Sequence, residues 1–303
     1  MQLKTFFFVT LHPKSYNMFN SKFLFAICLT AFSLVSCGGN EEGNDSEKGK
    51  VTAETENNFN SDEFDFVLPQ PISLAKAFQA AGLSYTTGAT NSAQNSKNYQ
   101  TKIKQLLNLG VYSTDLAYSA INEKPNEARE YLKVIQELGS EVGLKAVFSD
   151  KKIIEKFDKN LDNMEAIQDL IFDIQEKTEE YMDDNDIRYL SVVQFSGAWT
   201  EGMYLGIKDI EKKQDSKNEL AVTIVDQINI LKNIIKGMKS YPTKEDVLND
   251  VIKKMEDILN TYNNFESVKS ANASSTFVSP KLTKEEFNNM SAKIKELRNY
   301  IVK

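Results

Sequence analysis

Histidine and cysteine are almost absent from this chain of 303 residues, which has one histidine and two cysteines. The histidine is His12, and the cysteines are Cys28 and Cys37. Without a histidine in the rest of the chain, neither a Ser-His-Asp nor a Cys-His nucleophile can be built. Zinc sites of the HExxH type and di-iron sites with Glu-x-x-His motifs are excluded for the same reason. The remaining chemistry is that of carboxylates, tyrosines and lysines.

Glycine and proline are also scarce, with 13 and 6 residues. Many short strands would need more of these turn residues, so the composition favours helices. The hydrophobic and charged fractions, 41% and 26%, are those of an ordinary soluble globular protein. The formal net charge of −7 makes binding to a phosphate backbone unfavourable. We therefore expect no nucleic-acid partner.

The N-terminal part of the chain carries a short apolar run at residues 23–32, preceded by Lys22. About ten apolar residues are too few for a membrane-spanning helix, which needs roughly 20. The tetrapeptide Leu-Val-Ser-Cys follows at residues 34–37 and resembles the lipobox of bacterial lipoproteins. The pattern predicts that residues 1–36 are a cleaved signal peptide and that Cys37 is lipidated. The alternative is a plain secretory signal that ends near a cysteine.

The signal peptide itself is expected to start at Met18, because residues 18–22 already form a short basic segment before the apolar run. Its cleavage removes both His12 and Cys28. The mature chain then has no imidazole and a single, lipidated cysteine. An intramolecular disulfide is excluded, although the compartment would permit one.

A tether is predicted at residues 37–63, where the lipidated cysteine is followed by acidic and polar residues with almost nothing to bury. Glu41 and Glu42 resemble the surface-export signal of Bacteroidetes lipoproteins, and a solvated spacer is the alternative. The expected location is the cell envelope, with a lipid anchor in the outer membrane, and the membrane face stays open. The tether should connect this anchor to one helical domain at residues 64–303.

Apolar residues from Tyr99 onward recur at intervals of three and four, which predicts a single all-α, bundle-like domain. A Ser- and Asn-rich connection at 264–282 is long enough to let the last helix pack away from its neighbour in sequence. The polar residues 84–96 are expected to form a loop. The predicted helices are 72–81, 98–122, 126–142, 150–159, 163–183, 186–210, 217–239, 243–263 and 283–302.

Helix start signals support several of these elements. Ser216 with Glu219, and Thr283 with Glu286, have the spacing of capping boxes. Pro125 suits the first turn of a helix, where its missing N–H is not needed.

Two acidic residues, Asp115 and Glu201, stand out because their helical neighbours are largely apolar, aromatic or small. One hypothesis is a polar-aromatic ligand pocket, in which two buried carboxylates bind a cation or act as an acid/base pair. The other, favoured, hypothesis is a buried polar network whose acids are satisfied by tyrosines and backbone groups. The candidate residues of either are Asp115, Glu201, Tyr112, Tyr118, Trp199 and Tyr204.

Glycines cluster in the same two helices. Ala198, Gly202 and Gly206 lie at four-residue spacing beside Gly197, and Gly110 lies near Asp115. Each glycine costs about 1 kcal/mol against alanine in a helix interior. Their presence indicates either a close helix–helix contact or space for a ligand.

A calcium loop is a weaker hypothesis for residues 158–169, which have oxygen-bearing side chains at EF-hand spacing. The segment lacks the glycine at its sixth position and the glutamate at its twelfth. A helix-to-helix turn with Asp162 or Asn163 as N-cap is the better interpretation. We assign no metal, cofactor or catalytic residue.

The stretches LGVYSTDLAY, at 109–118, and FSGAW and EGMY, at 195–199 and 201–204, resemble a family of helical Bacteroidetes lipoproteins without an assigned activity. The resemblance covers about 64–211 and implies location and fold but no catalytic residues. We expect a membrane-anchored binding or interaction module whose partners are membrane lipid, through Cys37, and an envelope protein or small ligand. The alternatives are a small-ligand-binding lipoprotein and, less favoured, a carboxylate-based hydrolase or lyase.

Overall fold

The computed structural model describes residues 68–148, 152–215, 219–242, 245–273 and 279–303. Within these ranges the regular secondary structure consists of twelve α-helices and two 3₁₀ helices, and contains no strand. The all-α prediction is therefore confirmed. The predictions for the signal peptide, Cys37, the tether and the Ser216 cap lie outside the described residues.

The α-helices follow one another through mostly short links, and the 3₁₀ helices are Ala93–Asn98 and Ile228–Ile230. The α-helices are α1 (Pro71–Ala80), α2 (Lys102–Ile121), α3 (Pro125–Glu141), α4 (Lys145–Phe148), α5 (Lys152–Lys159), α6 (Met164–Asp184), α7 (Tyr189–Lys213), α8 (Glu219–Gln227), α9 (Leu231–Lys239), α10 (Asp246–Asn263), α11 (Glu266–Asn272) and α12 (Lys284–Ile301).

Helices α2 and α7 form the centre of the fold and are buried along most of their length. Two glycines let their backbones approach closely. A Cβ at Gly110 would overlap the carbonyl oxygen of Gln194, and a Cβ at Gly197 would overlap that of Leu107. In addition, the Thr114 hydroxyl donates to the carbonyl of Ala198 at 3.0 Å. These two glycines therefore serve close packing and do not make space for a ligand.

The other two glycines of α7 also face packed side chains. A Cβ at Gly202 would lie 3.0 Å from Leu74 of α1, and one at Gly206 would lie 2.7 Å from Ile224 of α8. Of the two explanations for the glycines, helix packing is the one that the structure supports.

Several helix starts agree with the sequence signals. Thr283 and Glu286 form a reciprocal capping box at the start of α12. Pro125 opens α3. The Asn163 side chain accepts from the amide of Ala166 and caps α6, as the turn interpretation of residues 158–169 predicts. Asp158, which the calcium hypothesis would use as a ligand, pairs instead with Arg129.

The predicted continuous helix 217–239 is wrong in its middle, where a 3₁₀ helix separates α8 from α9. The indole N–H of Trp199 donates to the carbonyl of Gln227 at 3.2 Å. The amide of Leu231 bonds to Ile228 instead of Gln227, so the α-helical ladder is interrupted there. A partner from a distant helix thus overrides the local apolar pattern.

Two segments that were expected to be irregular contain helix. Residues 264–282 include α11, whose Val268 is buried and whose Ser267 amide donates to Glu286 of α12. Residues 84–96 lead into the 3₁₀ helix Ala93–Asn98. Polar composition concealed both elements because their stabilising contacts come from other parts of the fold.

None of the described helices combines the length and the apolar character that a membrane crossing requires. Helix α12 packs against α10, α7 and α2, so the chain after α11 returns to the centre of the domain. This return brings an arginine from α12 to the two carboxylates that the sequence singled out.

Candidate functional site

Asp115, Glu201 and Arg298 form a buried charged cluster at the junction of α2, α7 and α12. Both acids are completely buried, and Arg298 is 9% exposed. The guanidinium binds Glu201 through two hydrogen bonds, from Nε at 2.9 Å and from the terminal nitrogen at 3.1 Å. Its other face lies 4.4 Å from the ring centre of Tyr204, a cation–π geometry. The pair is thus desolvated and geometrically well matched.

Asp115 is the second carboxylate of this cluster. Its Oδ2 accepts from the amide of Asn91 at 3.1 Å, while its Oδ1 has no donor among the described residues. Burial, together with the negative charge of Glu201, raises the pKa of Asp115 well above its usual range. The two carboxyl groups hydrogen-bond to each other, which requires a proton on one of them, and the raised pKa of Asp115 makes Asp115 the favoured carrier of that proton.

With the proton on Asp115, the negative charge of Glu201 and the positive charge of Arg298 compensate each other within this cluster. Burial raises the pKa of Glu201, and the charge of Arg298 opposes that rise. Burial also disfavours the charge on Arg298, but Glu201 outweighs it, and the pKa of Arg298 is raised overall. One negative and one positive charge balance, with a neutral Asp115 beside them.

Tyr112 and Tyr118, two of the predicted site residues, hold the loop that precedes α2. The Tyr112 hydroxyl donates to the carbonyl of Ser92 at 2.8 Å. The Tyr118 hydroxyl donates to the carbonyl of Ser84 at 3.0 Å and accepts from the amide of Thr86 at 2.7 Å. Both hydroxyls are thus used by backbone groups of the loop.

A third buried acid, Asp209, fixes the start of the same loop. It accepts from the Ser84 hydroxyl at 2.6 Å and from Lys213 at 2.7 Å. Asp209 was not among the predicted site residues, because it lies among charged residues near the end of α7.

The structure therefore brings Asp115, Glu201 and Tyr204 together around Arg298, and places Trp199 elsewhere, against Gln227. This geometry resembles a buried polar network more than an open pocket, but it differs from the network hypothesis because Glu201 is paired with Arg298 and not with a tyrosine. No substrate can reach the two carboxylates without displacing the helices around them.

Arg298 was not among the predicted site residues, although its position in the sequence indicates burial. It lies four residues after Ile294 and three before Ile301, on the apolar face of α12. Asn91 and Tyr99 were not predicted either. The side-chain amide of Asn91 donates to the Tyr99 hydroxyl at 2.9 Å. An arginine on an apolar helix face predicts a buried anionic partner, because a lone buried charge is strongly unfavourable.

A cavity lies apart from this network, between the N-terminal end of α1 and helices α2, α3, α6 and α7. Its volume is about 110 Å³. None of the six predicted site residues lines it. The wall is formed largely by apolar side chains, among them Leu116, Ile135, Ile171, Ile174 and Phe195.

Polar groups border one side of this cavity, where α6 approaches the start of α7. They include Gln175, Glu179, Asp183 and Arg188. Arg188 lies 3.3 Å from Asp183 in an ion pair. The residue Glu179 is exposed as a whole, but partial burial of its carboxyl group and repulsion from Asp183 raise the pKa of Glu179. The arrangement combines an apolar interior with a few convergent polar groups, as small-molecule sites commonly do.

No group of three or more metal-binding side chains occurs within the described part of the chain. Comparisons with protein-family models, with curated proteins and with solved structures found no match to this chain.

Proposed function

We propose that this chain is a lipid-anchored protein of the bacterial cell envelope whose helical domain binds a small molecule through the apolar part of that molecule. The supporting observation is the cavity between α2, α3, α6 and α7. An apolar protein cavity of roughly 150 Å³ is large enough to bind benzene. At about 110 Å³, this cavity is about a quarter smaller, so the apolar group that it takes is at most one ring or a short branched chain.

The buried carboxylates support catalysis less well than the cavity supports binding. Asp115 and Glu201 are completely buried, and Glu201 is occupied by Arg298. A general acid or base has to come within hydrogen-bonding reach of its substrate. A ligand in the cavity can contact the side chains that line it, whereas the carboxylates of Asp115 and Glu201 are enclosed by the surrounding helices.

The lipid anchor is tested by mass spectrometry of the protein isolated from its own cells. We expect the mature chain to begin at Cys37 and to carry acyl chains on that residue, since the Leu-Val-Ser-Cys tetrapeptide precedes it. Fractionation should place this form with the outer membrane. An unmodified Cys37 on a chain that retains residues 1–36 would contradict the proposal.

Ligand binding is tested by filling the cavity. Ser113 lines it and is nearly buried, and its hydroxyl donates only to the Leu109 carbonyl of its own helix. We expect toluene to stabilise the wild-type domain by about 1.4 kcal/mol at a concentration ten times its Kd. The variant Ser113→Leu should lose this stabilisation because its side chain occupies the space. Thermal unfolding with and without toluene measures the effect.

The matched control is Ser113→Ala, which removes the same hydroxyl but leaves the cavity open. It should respond to toluene as the wild type does. The full chain carrying Cys37→Ser is used throughout, so that no detergent competes for the cavity. Equal stabilisation of Ser113→Leu would mean that toluene binds elsewhere, and no stabilisation of any of the three proteins would contradict the proposed function.

A further inference from the structure

We infer that the ligand of this cavity is a small amine, with an apolar body of about one ring and a cationic group that donates hydrogen bonds. The inference rests on the proposed function and adds the charge and polarity of the ligand. The charged side chains that border the cavity have an excess of negative charge, and its hydrogen-bonding groups are mostly acceptors without a donor. Both observations support a cationic, donating ligand.

The charged groups around the cavity favour a cation. Glu179 and Asp183 line it together with one basic residue, Arg188. Arg188 already pairs with Asp183. Glu179 makes no salt bridge with the described residues. Asp183 and Glu176 repel its charge, and the more distant attraction of Arg188 offsets only part of this repulsion. A ligand with a positive charge near Glu179 would relieve this repulsion, whereas a carboxylate ligand would increase it.

The hydroxyl groups in the cavity wall have already used their hydrogens. Ser113 and Thr178 donate to carbonyls of their own helices, each at 2.7 Å. Ser191 likewise donates to the carbonyl of Arg188 at 2.6 Å. These hydroxyls retain only their capacity to accept. A ligand that needs donors from the wall would therefore find few.

Two amide oxygens beside Glu179 also lack donors. Oε1 of Gln175, which lines the cavity, is buried without a hydrogen-bond partner, and so is Oε1 of Gln70. The Gln70 side chain hydrogen-bonds to Glu179. Because a carboxylate accepts, the Gln70 amide nitrogen must donate, and its oxygen is left as the free acceptor. A buried acceptor without a donor is unfavourable by itself, so a donating ligand gains from pairing with the Gln175 oxygen, which lines the cavity, whereas Gln70 acts only by holding Glu179.

An ammonium group meets all of these requirements, since it has three donors, no acceptor and a positive charge. Hydrogen bonds to charged groups are stronger than neutral ones. We expect benzylamine to bind about tenfold or more tightly than toluene, which has the same ring without the charge. Benzoate, with the opposite charge, should bind more weakly than toluene.

The experiment compares the three ligands by calorimetric or NMR titration of the full chain carrying Cys37→Ser. Mildly alkaline pH is used, so that Glu179 is ionised while the amine stays protonated. In Glu179→Gln, the affinity for benzylamine should fall about tenfold or more and that for toluene should not change. Glu176→Gln is the matched control, because it removes the same charge from the same helix at a position that does not line the cavity.

Each outcome decides one of the two proposals. Preference for benzylamine that is lost in Glu179→Gln and kept in Glu176→Gln supports the amine inference. Toluene or benzoate binding as tightly as benzylamine, or an unchanged benzylamine affinity in Glu179→Gln, would overturn it while leaving the proposed function intact. Failure of all three ligands to bind would overturn both.

Discussion

Replacing Glu201 with glutamine is expected to destabilise the domain by about 3–5 kcal/mol, because it leaves the charge of Arg298 buried without its ionised partner. Arg298 is 9% exposed, so water cannot replace the lost carboxylate. Chemical denaturation of the wild type and Glu201→Gln measures the difference. The cost should be largest when Asp115→Asn is also present, since no carboxylate then remains near Arg298.

Asp115→Asn alone is the matched control, because asparagine imitates a protonated aspartate. Its oxygen can still accept from the Asn91 amide, and its nitrogen can donate to Glu201 in place of the carboxyl proton. We expect a change of less than about 1 kcal/mol near pH 4, where the unfolded chain also holds much of this proton, and a gain in stability over the wild type at neutral pH. A loss as large as that of Glu201→Gln would show that Asp115 is ionised in the folded domain.

The pH dependence of these two proteins gives an independent check. The folded-state pKa of Asp115 is raised, so the folded domain binds a proton more tightly than the unfolded chain does. The contribution of this proton to stability is fully present below the unfolded pKa, about 3.9, and is lost as pH rises through the folded value. Asp115→Asn should therefore gain stability relative to the wild type as pH rises. A difference that does not change with pH would contradict a protonated Asp115.

Gly197→Ala should also destabilise the domain strongly, by about 3 kcal/mol or more. Alanine gains about 1 kcal/mol of helix propensity over glycine. That gain is outweighed because the new Cβ would overlap the backbone carbonyl of Leu107, and a backbone group cannot rotate away as a side chain can. Helices α2 and α7 would have to separate. Thermal and chemical unfolding measure the loss.

Gly202→Ala provides the comparison on the same helix. Its Cβ would lie 3.0 Å from the end of the flexible Leu74 side chain, which can shift by a few tenths of an ångström. We expect a change within about 1 kcal/mol, since the helix propensity gain offsets part of the crowding. Equal losses in the two variants would mean that the contact between α2 and α7 is less rigid than the structure indicates.

The all-α fold and most helix positions could be predicted from the sequence because they depend on local patterns. The apolar spacing of Phe287, Met290 and Ile294 defines α12, and the Thr283 capping box marks its start. The burial of Asp115 and Glu201 could be predicted for the same reason, since their helical neighbours are largely apolar, aromatic or small.

The remaining features depend on contacts between distant parts of the chain. The break between α8 and α9 coincides with a hydrogen bond from Trp199, which lies 28 residues before its acceptor Gln227. The partner of Glu201 is 97 residues away, at Arg298. The cavity depends on how five helices fail to fill the space between them, and no single helix carries a pattern that predicts empty volume.

The position of Arg298 in the last helix has a consequence for the order of folding. The side-chain amide of Asn108 donates to the Ile301 carbonyl, 193 residues away in sequence. The Tyr99 hydroxyl donates to the Val302 carbonyl, 203 residues away. Contacts of such sequence separation slow folding, because a long segment must be brought together before they form. Helices α2 and α7 precede α12 along the chain. Until α12 docks, Glu201 lacks its cation, so burying the ionised carboxylate between α2 and α7 is unfavourable.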